Sequence, residues 1–547
     1  MTALRTYGVR VRILLLVSLL CLCACGTSST QDQSEHDGAG QDAPRYIVSV
    51  IDEPKTTDFQ CTTIDYTIAL NCFNRLVEIQ STPDGDVAVR PSLASSWEES
   101  DDGLLYTFHL RDDVTFSNGS PLSAQDVYYT FVRLLTHPGS CNKDIVRDIV
   151  GARELEAHTT DELSGLNVLD DYTFTIRLEQ PYSAFLACLC MPSASILDQE
   201  STEEAGELFG VNPSATIGTG PFVFAEWNTG QNLLLTTNPT YWERTPAIDG
   251  VDLKFVYDPD TLSNMFKDGE LDIINVDDMG DLGDYFLHGS AYKDRIKTAP
   301  HIGIDYIALN ESVKPLDDVR VRKALQLALN RQTLLDAAYS GYGKVEHGIF
   351  PRGLHGYNPE LSAIPYDVNQ AKALLAEAGY QDGFDLEISM RATTLRWQRQ
   401  LVDMVVSMWD KIGVRATVRI RNEEDFMAHR SAGKIACYTA SWAADFDDPD
   451  NFIYTFFGSR ENSVFRSLCY ANDEAMSRIR QARAIVDDTK RMQEYSELER
   501  IVAQDDAAWI PLFSRNRNFL VSQRVRGFTT AWNGWFEAMY KYMSVQS

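Results

Sequence analysis

The sequence predicts a mixed α/β protein with more than one lobe, and three observations support this fold class. Short runs that alternate apolar and polar residues, as strands do, are interspersed along the whole chain with runs of helical periodicity. The chain has 547 residues, 44% of them hydrophobic, which suits roughly two to four domains. It contains no internal repeat of about 20–50 residues, and this argues against solenoids and propellers.

The predicted strands are short and lie between turn-forming residues. RYIVSVI (45–51) begins the folded part of the chain, and LYTFHL (105–110) and YTFTIRL (172–178) alternate as half-buried strands do. A later strand, RATVRI (415–420), directly follows the last of the predicted helices. Strands separated by helical segments favour an α/β arrangement.

Helical periodicity is strongest in four segments. Ser123 is a good N-cap for the first segment, aspartates open the second, and Gly379 is expected to end the third as a C-cap. The four predicted helices cover 123–135, 317–339, 369–379 and 395–414.

The formal net charge is −29, while 23% of the residues are charged, an ordinary fraction for a folded protein. Such a negative charge repels nucleic acid and anionic lipid headgroups at long range. We therefore expect no nucleic-acid partner and no membrane surface bound by the body of the protein. We expect a monomer.

The first residues form a targeting segment. Arginines at 5, 10 and 12 precede ILLLVSLLCL (13–22), an apolar run shorter than the roughly 20 residues that a spanning helix needs. The next residues, LCAC (22–25), resemble the bacterial lipoprotein cleavage box, in which the cysteine becomes the lipidated first residue. Cys25 is the candidate. Cys23 departs from the family, which usually has a smaller residue there.

This resemblance implies a signal peptide over 1–24 and a flexible tether over 25–43, which has no large apolar residue. The protein is then expected outside the cytoplasm, anchored to the cell membrane by lipid and not spanning it. An ordinary secretory signal is the alternative.

Seven cysteines follow the targeting segment. Outside the cell they can form disulfides, and we expect one or two structural bridges with undecided partners. No CxxC pair and no histidine cluster with ligand spacing is present, so no metal site is predicted. The seven are Cys61, Cys72, Cys141, Cys188, Cys190, Cys437 and Cys469.

Six motifs occur in a fixed order after the tether. Together they resemble the oligopeptide/dipeptide-binding family of bacterial ABC-transporter solute-binding lipoproteins, from about residue 46 to about residue 540. The motifs are RPSLASSWEES (90–100), LRDDVTFSNGSPLSAQDVYYTFVRL (110–134), IGTGPFVF (217–224), NPTYW (238–242), DDVRVRKALQLALNR (317–331) and YDVNQAKALLAEAGY (366–380).

The resemblance implies a type II periplasmic-binding fold, in which two lobes enclose a cleft and one lobe carries a small extra domain. The ligand lies between the lobes, and a hinge closes over it. By analogy, lobe I is discontinuous and comprises 44–81, 216–305 and 516–547, its extra subdomain is 82–215, and lobe II is 306–515.

The acidic, aromatic stretch SWAADFDDPDNF (441–452) is the candidate binding segment. In peptide-binding members of the family, a Trp followed three residues later by an Asp lines the cleft, and the Asp pairs with the α-ammonium of the peptide. Trp442 and Asp445 match this pattern. An ammonium buried by lobe closure needs an opposite charge, because its desolvation would otherwise cost several kcal/mol. Alternatively, Asp445 is only a loop residue.

Two further expectations concern charged side chains near this segment. Asp447, Asp448 and Asp450 are expected to be solvated or turn-forming, with Pro449 fixing the bend. Family members that take dipeptides bind the α-carboxylate with an arginine, and Arg391 falls near that place. An arginine fork matches a carboxylate well, although Arg391 can equally be a surface charge.

The resulting hypothesis is a receptor, not an enzyme, that captures short peptides and delivers them to the permease of an ABC transporter. Relatives in the same fold bind nickel chelates, haem or oligosaccharides, and such a non-peptide solute is the main alternative. A hydrolase is not supported, because no GxSxG, HExxH or SxxK occurs where a cleft is expected. A sensor or adhesin with the same lobes is a further alternative. No cofactor is expected.

Overall fold

The computed structural model describes residues 45–81, 87–277, 279–393, 396–534 and 538–546. The predicted signal peptide (1–24) and the tether (25–43), with Cys25, lie outside the described residues. Within the described ranges, no helix combines the length and the apolar character needed to cross a bilayer.

The described strands are short except for one near the C-terminus. In chain order they are β1 (Tyr46–Val50), β2 (Val77–Ser81), β3 (Val87–Pro91), β4 (Ala94–Glu99), β5 (Leu105–Leu110), β6 (Leu166–Asp170), β7 (Thr173–Arg177), β8 (Phe222–Asn228), β9 (Asn232–Thr237), β10 (Gly250–Lys254), β11 (Ile273–Asn275), β12 (Ile296–Pro300), β13 (Gly303–Leu309), β14 (Gly343–Val345), β15 (Phe384–Arg391), β16 (Val414–Arg421), β17 (Cys437–Ala443), β18 (Trp509–Val521), β19 (Val525–Arg526) and β20 (Ser544–Val545).

The described α-helices alternate with these strands, as predicted. They are α1 (Thr67–Cys72), α2 (Ala124–Thr136), α3 (Ala152–Glu156), α4 (Phe185–Cys188), α5 (Gln199–Ala205), α6 (Pro259–Asp268), α7 (Asp281–His288), α8 (Val319–Leu327), α9 (Arg331–Tyr339), α10 (Val368–Glu377), α11 (Arg396–Asp410), α12 (Glu423–Ser431), α13 (Asp450–Phe457), α14 (Arg460–Phe465), α15 (Asp473–Ala482) and α16 (Asp488–Arg500).

Three of the four predicted helices are confirmed, as α2, α10 and α11. Ser123 caps α2 as expected, in a capping box with Asp126. The helix predicted over 317–339 is wrong as one element, because it is divided into α8 and α9. The division occurs at Asn330, whose side chain accepts a hydrogen bond from the Thr333 amide at 3.1 Å and so begins a second helix.

A twelve-stranded mixed sheet organises most of the chain, and β18 is its central strand. The order along the sheet is β16-β15-β17-β13-β18-β11-β1-β10-β9-β8, and β12 and β14 also pair with β18. The first part of β18 pairs with β13 and β14, whereas its last residues pair with β11 and β12. One continuous strand therefore joins two groups of strands.

A separate four-stranded antiparallel sheet, in the order β4-β5-β7-β6, packs against α2. Its buried side chains form a hydrophobic cluster, which we call the small-sheet core. All buried members of this core come from residues 76–196 except Phe446. A second cluster, which we call the Trp509 core, draws its buried members from residues 302–509.

All seven cysteines of the described residues are free thiols. The expectation of one or two structural bridges is therefore wrong. Burial explains the chemistry of several of them: it raises the pKa of the Cys61 thiol to about 12, with the Asp58 charge adding to the effect. Such thiols are neutral at ordinary pH and behave as small apolar or weakly polar groups.

Candidate functional site

The acidic, aromatic stretch 441–452 lies where the small-sheet core meets the Trp509 core. Strand β17 carries Trp442, whose ring packs edge-on against Phe456 with the ring centroids 5.2 Å apart. Phe456 in turn contacts Trp509, so Trp442 belongs to the edge of the Trp509 core. Four residues after Trp442, Phe446 is buried in the small-sheet core. Asp445 thus stands at the junction between two packed bodies.

Asn451 holds Asp445 and Trp442 together. Its side-chain amide donates to the Asp445 carboxylate at 3.1 Å, and its oxygen accepts from the Asp445 backbone amide at 2.9 Å. The same oxygen accepts from the Trp442 indole nitrogen at 3.3 Å. Asn451 is itself only 3% exposed, so this geometry is fixed by packing.

The Asp445 carboxylate has no cationic partner within salt-bridge distance among the described residues. Burial raises its pKa to about 6; the Asn451 hydrogen bond opposes this rise, the Asp144 carboxylate adds to it, and the Arg466 charge opposes it. Asp144 comes from the segment between α2 and α3, so its charge reaches Asp445 from the other packed body. A half-buried carboxylate without a cationic partner is stabilised when a cation binds beside it.

Of the three carboxylates expected to be solvated or turn-forming, Asp448 and Asp450 are buried and ion-paired, so solvation is wrong for both. Asp448 is nevertheless turn-forming, because its Oδ1 accepts a hydrogen bond from the Asp450 backbone amide at 2.9 Å. Asp448 contacts Arg491 at 2.6 Å, and both side chains are at most 4% exposed. Asp450 contacts Arg483 at 3.0 Å and accepts a hydrogen bond from the Tyr182 hydroxyl, also at 3.0 Å. These carboxylates lie inward because arginines from the following helical segments neutralise them.

The remaining acidic residue and the proline fit the expected turn. Asp447 is half-buried and accepts a hydrogen bond from the His355 backbone amide at 2.7 Å. Pro449 lies at the N-cap position of α13. The turn therefore connects Asp445 to α13, whose second residue is Asn451.

Arg483 also connects the two packed bodies through ion pairs. Besides Asp450, it contacts Asp148, which lies beside the small-sheet core, at 3.1 Å. Its guanidinium lies between the rings of Tyr182 and Tyr454, at 4.3 and 4.0 Å from their centroids. This network fixes the beginning of α13 against the body that carries Asp144.

Arg391, the residue expected to bind a ligand carboxylate, lies at the end of β15. Its guanidinium contacts the Glu423 carboxylate at 3.3 Å and lies 5.0 Å from the Phe426 ring centroid. The side chain is 40% exposed. Its positive charge is thus already matched by a carboxylate of the same chain.

Sequence reasoning missed Arg466 and Asn451. Arg466 follows α14, and its guanidinium lies over three aromatic rings, 4.9 Å from Phe456, 5.5 Å from Trp442 and 5.7 Å from Phe465. Burial lowers the pKa of Arg466. The amide of Asn451 among acidic residues was a usable sequence signal, whereas no local pattern marks Arg466.

The sheet, the two packed bodies and the junction between them define a binding protein of the type II periplasmic class. Residues 88–464 match the family model described as bacterial extracellular solute-binding proteins, family 5. The chain belongs to this family, which confirms the resemblance seen in the sequence motifs. It is accordingly an extracytoplasmic solute-binding protein.

Individual relatives differ in the ligand that they are named for. The chain is 29% identical to heme-binding protein A of Haemophilus influenzae, over 86% of each chain. It is 30% identical to the dipeptide-binding protein of Escherichia coli, over 80% of this chain and 82% of that one.

A solved structure shares the fold. The ABC transporter-associated periplasmic binding protein DppA of Helicobacter pylori, in complex with the peptide STSA, aligns with a TM-score of 0.74. The alignment covers 92% of this chain and 98% of that one at 23% identity. The relatives named here are binding proteins, not enzymes.

Proposed function

We propose that the protein captures short peptides between two hinged lobes and delivers them to the permease of an ABC transporter. The observation that carries this proposal is the Asp445 carboxylate, which is held beside an aromatic wall without a cation of its own. The α-ammonium of a peptide supplies that cation, and the partner's charge offsets the desolvation of both groups. The names of peptide-binding relatives support the same ligand class.

The lobes in this proposal are those expected from the family resemblance. Lobe I comprises 44–81, 216–305 and 516–547 with the extra subdomain 82–215, and lobe II comprises 306–515. Closure places Asp445 of lobe II against the subdomain that carries Asp144. Pockets that grip the peptide backbone and leave room for hydrated side chains give affinity with little sequence selectivity.

Haem is the second candidate ligand, because a relative of nearly equal identity is named for it. A haem offers its propionate groups as charges, and these are repelled by Asp445. A nickel chelate or an oligosaccharide has no ammonium for Asp445 to pair with. A peptide ammonium can therefore pair with the Asp445 carboxylate, whereas the other candidate ligands offer no ammonium group to it.

The cargo can be tested directly. The protein is purified without refolding, the bound material is released with acid, and mass spectrometry identifies it. Short peptides are the expected result, and calorimetry with alanine dipeptide and tripeptide then measures affinity. Recovery of haem or sugars, together with no heat from the peptides, would contradict the proposal. Cleaved peptides after incubation would instead indicate a hydrolase.

We also propose that Cys25 is lipidated and anchors the protein outside the cytoplasm. Cys25→Ser is expected to accumulate as an unlipidated precursor that keeps residues 1–24 and incorporates no labelled fatty acid. The matched control is Cys23→Ser, which changes the neighbouring cysteine and keeps the proposed lipidation site. If Cys25→Ser is processed and fractionates like the parent, an ordinary secretory signal is the better interpretation.

A further inference from the structure

Asp58, Cys61 and His137 bring three different ligand atoms together in a group that shares no residue with the Asp445 site. The Cys61 Sγ lies 3.2 Å from the Asp58 Oδ2 and 3.3 Å from the His137 Nδ1. The three atoms all lie within 4.8 Å of one another. Asp58 and Cys61 precede α1, whereas His137 is the C-cap residue of α2. Cys61 and His137 are 76 positions apart, which is why no local spacing in the sequence indicates the group.

These distances suit a tetrahedral metal ion. Zinc binds cysteine sulfur at about 2.3 Å and histidine nitrogen or carboxylate oxygen at about 2.0–2.2 Å, so neighbouring ligand atoms of the tetrahedron are about 3.5 Å apart. Both contacts of the Cys61 Sγ differ from this value by about 0.3 Å at most. Sulfur, imidazole nitrogen and carboxylate oxygen are also the three ligand types that zinc takes from proteins.

Neighbouring groups orient two of the ligands. The Arg133 guanidinium donates to the Asp58 Oδ2 at 2.6 Å and fixes the carboxylate, as outer-shell donors do in metal sites. A carboxylate oxygen has two lone pairs, so Oδ2 can keep this bond while it binds an ion. The His137 Nδ1 accepts from the Gly139 backbone amide at 3.2 Å, so this nitrogen carries a lone pair and not a proton.

The charge and the space at the group also favour a cation. The Asp58 carboxylate and an ionised Cys61 sulfur outweigh the single Arg133 charge, in a chain with a net charge of −29. Asp58 is only 5% exposed, whereas Cys61 and His137 are half-buried and can be reached from solvent. A Cβ at Gly139 would lie 3.1 Å from the Cys61 Sγ, so the absence of a side chain there leaves room beside the sulfur.

We propose that Asp58, Cys61 and His137 bind one zinc ion, with water as the fourth ligand. As the zinc–sulfur bond forms, the Cys61 thiol releases its proton to solvent, and zinc takes the place of the Gly139 amide at the His137 Nδ1. The bound ion connects the segment before α1 to the end of α2. It thereby joins a part of the chain assigned to lobe I to the extra subdomain. Zinc binding here is separate from peptide capture.

Metal titration of the intact protein tests the site. The purified protein is stripped with EDTA, kept reduced with a phosphine, and titrated with Zn²⁺ or Co²⁺. We expect one strongly bound ion per molecule, and with Co²⁺ a sulfur-to-cobalt charge-transfer band in the near ultraviolet. Mg²⁺ in about a hundredfold excess should not displace either ion, because Mg²⁺ prefers oxygen ligands. Binding without the sulfur band, or binding that Mg²⁺ reverses, would assign the ion to surface carboxylates and overturn the proposal.

Substitutions assign the ligands. Cys61→Ser should abolish the sulfur-to-cobalt band and weaken zinc binding by at least about a hundredfold, since changes to outer-shell groups alone cost about tenfold to a hundredfold. His137→Gln should weaken zinc binding to a similar extent. The matched control is Cys141→Ser, because the Cys141 thiol is exposed and donates to the Gly139 carbonyl at 3.4 Å. This control should bind zinc as the parent does. An unchanged Cys61→Ser, or an equal loss in Cys141→Ser, would overturn the assignment.

Thermal melting gives a readout that does not depend on spectroscopy. Zinc should raise the unfolding midpoint of the parent and leave that of Cys61→Ser unchanged, because an ion that binds the folded state stabilises it by mass action. A parent midpoint that zinc does not raise would contradict the site. Calorimetry with alanine dipeptide separates this proposal from the proposed function. If zinc binds and the peptide does not, peptide capture fails alone; if the peptide binds and zinc does not, the zinc site fails alone.

Discussion

Asp445 and Asp448 belong to one short acidic run, yet their surroundings are opposite. Asp448 is buried against Arg491 at 2.6 Å, and its neighbour Asp450 is held by Arg483 and by two tyrosine hydroxyls. Asp445 is half-buried and receives its side-chain hydrogen bond from the neutral amide of Asn451. The chain thus supplies arginine cations to Asp448 and Asp450 but only a neutral amide to Asp445.

The source of the neutralising cation distinguishes structural carboxylates from binding ones within a single segment. A buried acid whose cation comes from the same chain stabilises the fold, and removing either partner leaves an uncompensated charge. A carboxylate with a raised pKa and no partner is costly for the fold, so its presence favours a role in binding. Four measurements test whether Asp445 and Asp448 have these different roles.

The largest expected effect is on stability, in Asp448→Asn. Loss of the carboxylate leaves Arg491 buried without its main partner, and we expect the free energy of unfolding to fall by about 3–5 kcal/mol. Denaturant-induced unfolding measures this change. The control Asp473→Asn removes an exposed carboxylate paired with Arg460 and should cost less than about 1 kcal/mol. If both variants lose the same free energy of unfolding, the buried Asp448 pair does not stabilise the fold more than an exposed pair.

Asp445→Asn should have the opposite effects to Asp448→Asn. It should weaken peptide binding strongly and should not reduce the stability of the fold. Affinity for alanine peptides is expected to fall by about 2–5 kcal/mol, as when a buried charge pair loses one partner. Because the folded pKa of Asp445 is raised from 3.8 to about 6, its stability contribution is complete at low pH and is lost as pH rises through about 6. The neutral Asn should therefore keep or raise the unfolding midpoint at pH 7. Unchanged peptide affinity would reject the assignment.

The pH dependence of binding should report Asp445 directly. With a pKa of about 6, the carboxylate is ionised at pH 7.5, whereas at pH 5 only about one molecule in ten carries the charge. Peptide affinity should consequently fall about sevenfold between these values, because the peptide α-amino group, with a pKa of about 7.7–8.0, is roughly two-thirds protonated at pH 7.5 and fully protonated at pH 5. Asp445→Asn should show a flat profile. If the peptide affinity of the parent protein does not change with pH, the peptide ammonium binds at a group other than Asp445.

The smallest effect is expected for Asn451→Ala. The variant keeps the Asp445 carboxylate and removes the amide that orients Asp445 and Trp442. The free energy of peptide binding should therefore weaken by about 1 kcal/mol. Because the Asn451 hydrogen bond opposes the rise in the Asp445 pKa, its loss should also move the pH midpoint of binding upward. A stability loss without that shift would indicate a purely structural role.

The sequence predicted the fold class and much of the local structure, because periodicity and capping are local properties. Ser123 and its capping box illustrate this, as does the third predicted helix, observed as α10. The family resemblance predicted the candidate segment around Trp442 and Asp445. The division at Asn330 was missed because apolar spacing continued across it while the amide side chain began a new helix.

The pairing of charges could not be predicted, since it depends on residues distant in the chain. Asp450 meets Tyr182, which lies 268 positions earlier, and Asp448 meets Arg491, 43 positions later. Arg466, the C-cap residue of α14, meets Trp442 across 24 positions of the chain. In the same way, the disulfide expectation followed from compartment and composition, whereas the spatial arrangement of the thiols decided against it.

Strand β18 has a consequence for biosynthesis. It occupies the middle of the large sheet but follows all the other described strands of that sheet in the chain, and it carries the hydrogen bonds that join β13 to β11. A nascent chain that ends before residue 509 therefore has two unpaired sheet edges and no template between them. Completion of the large sheet is therefore postponed until residues 509–521 have been synthesised, after all the other strands of that sheet.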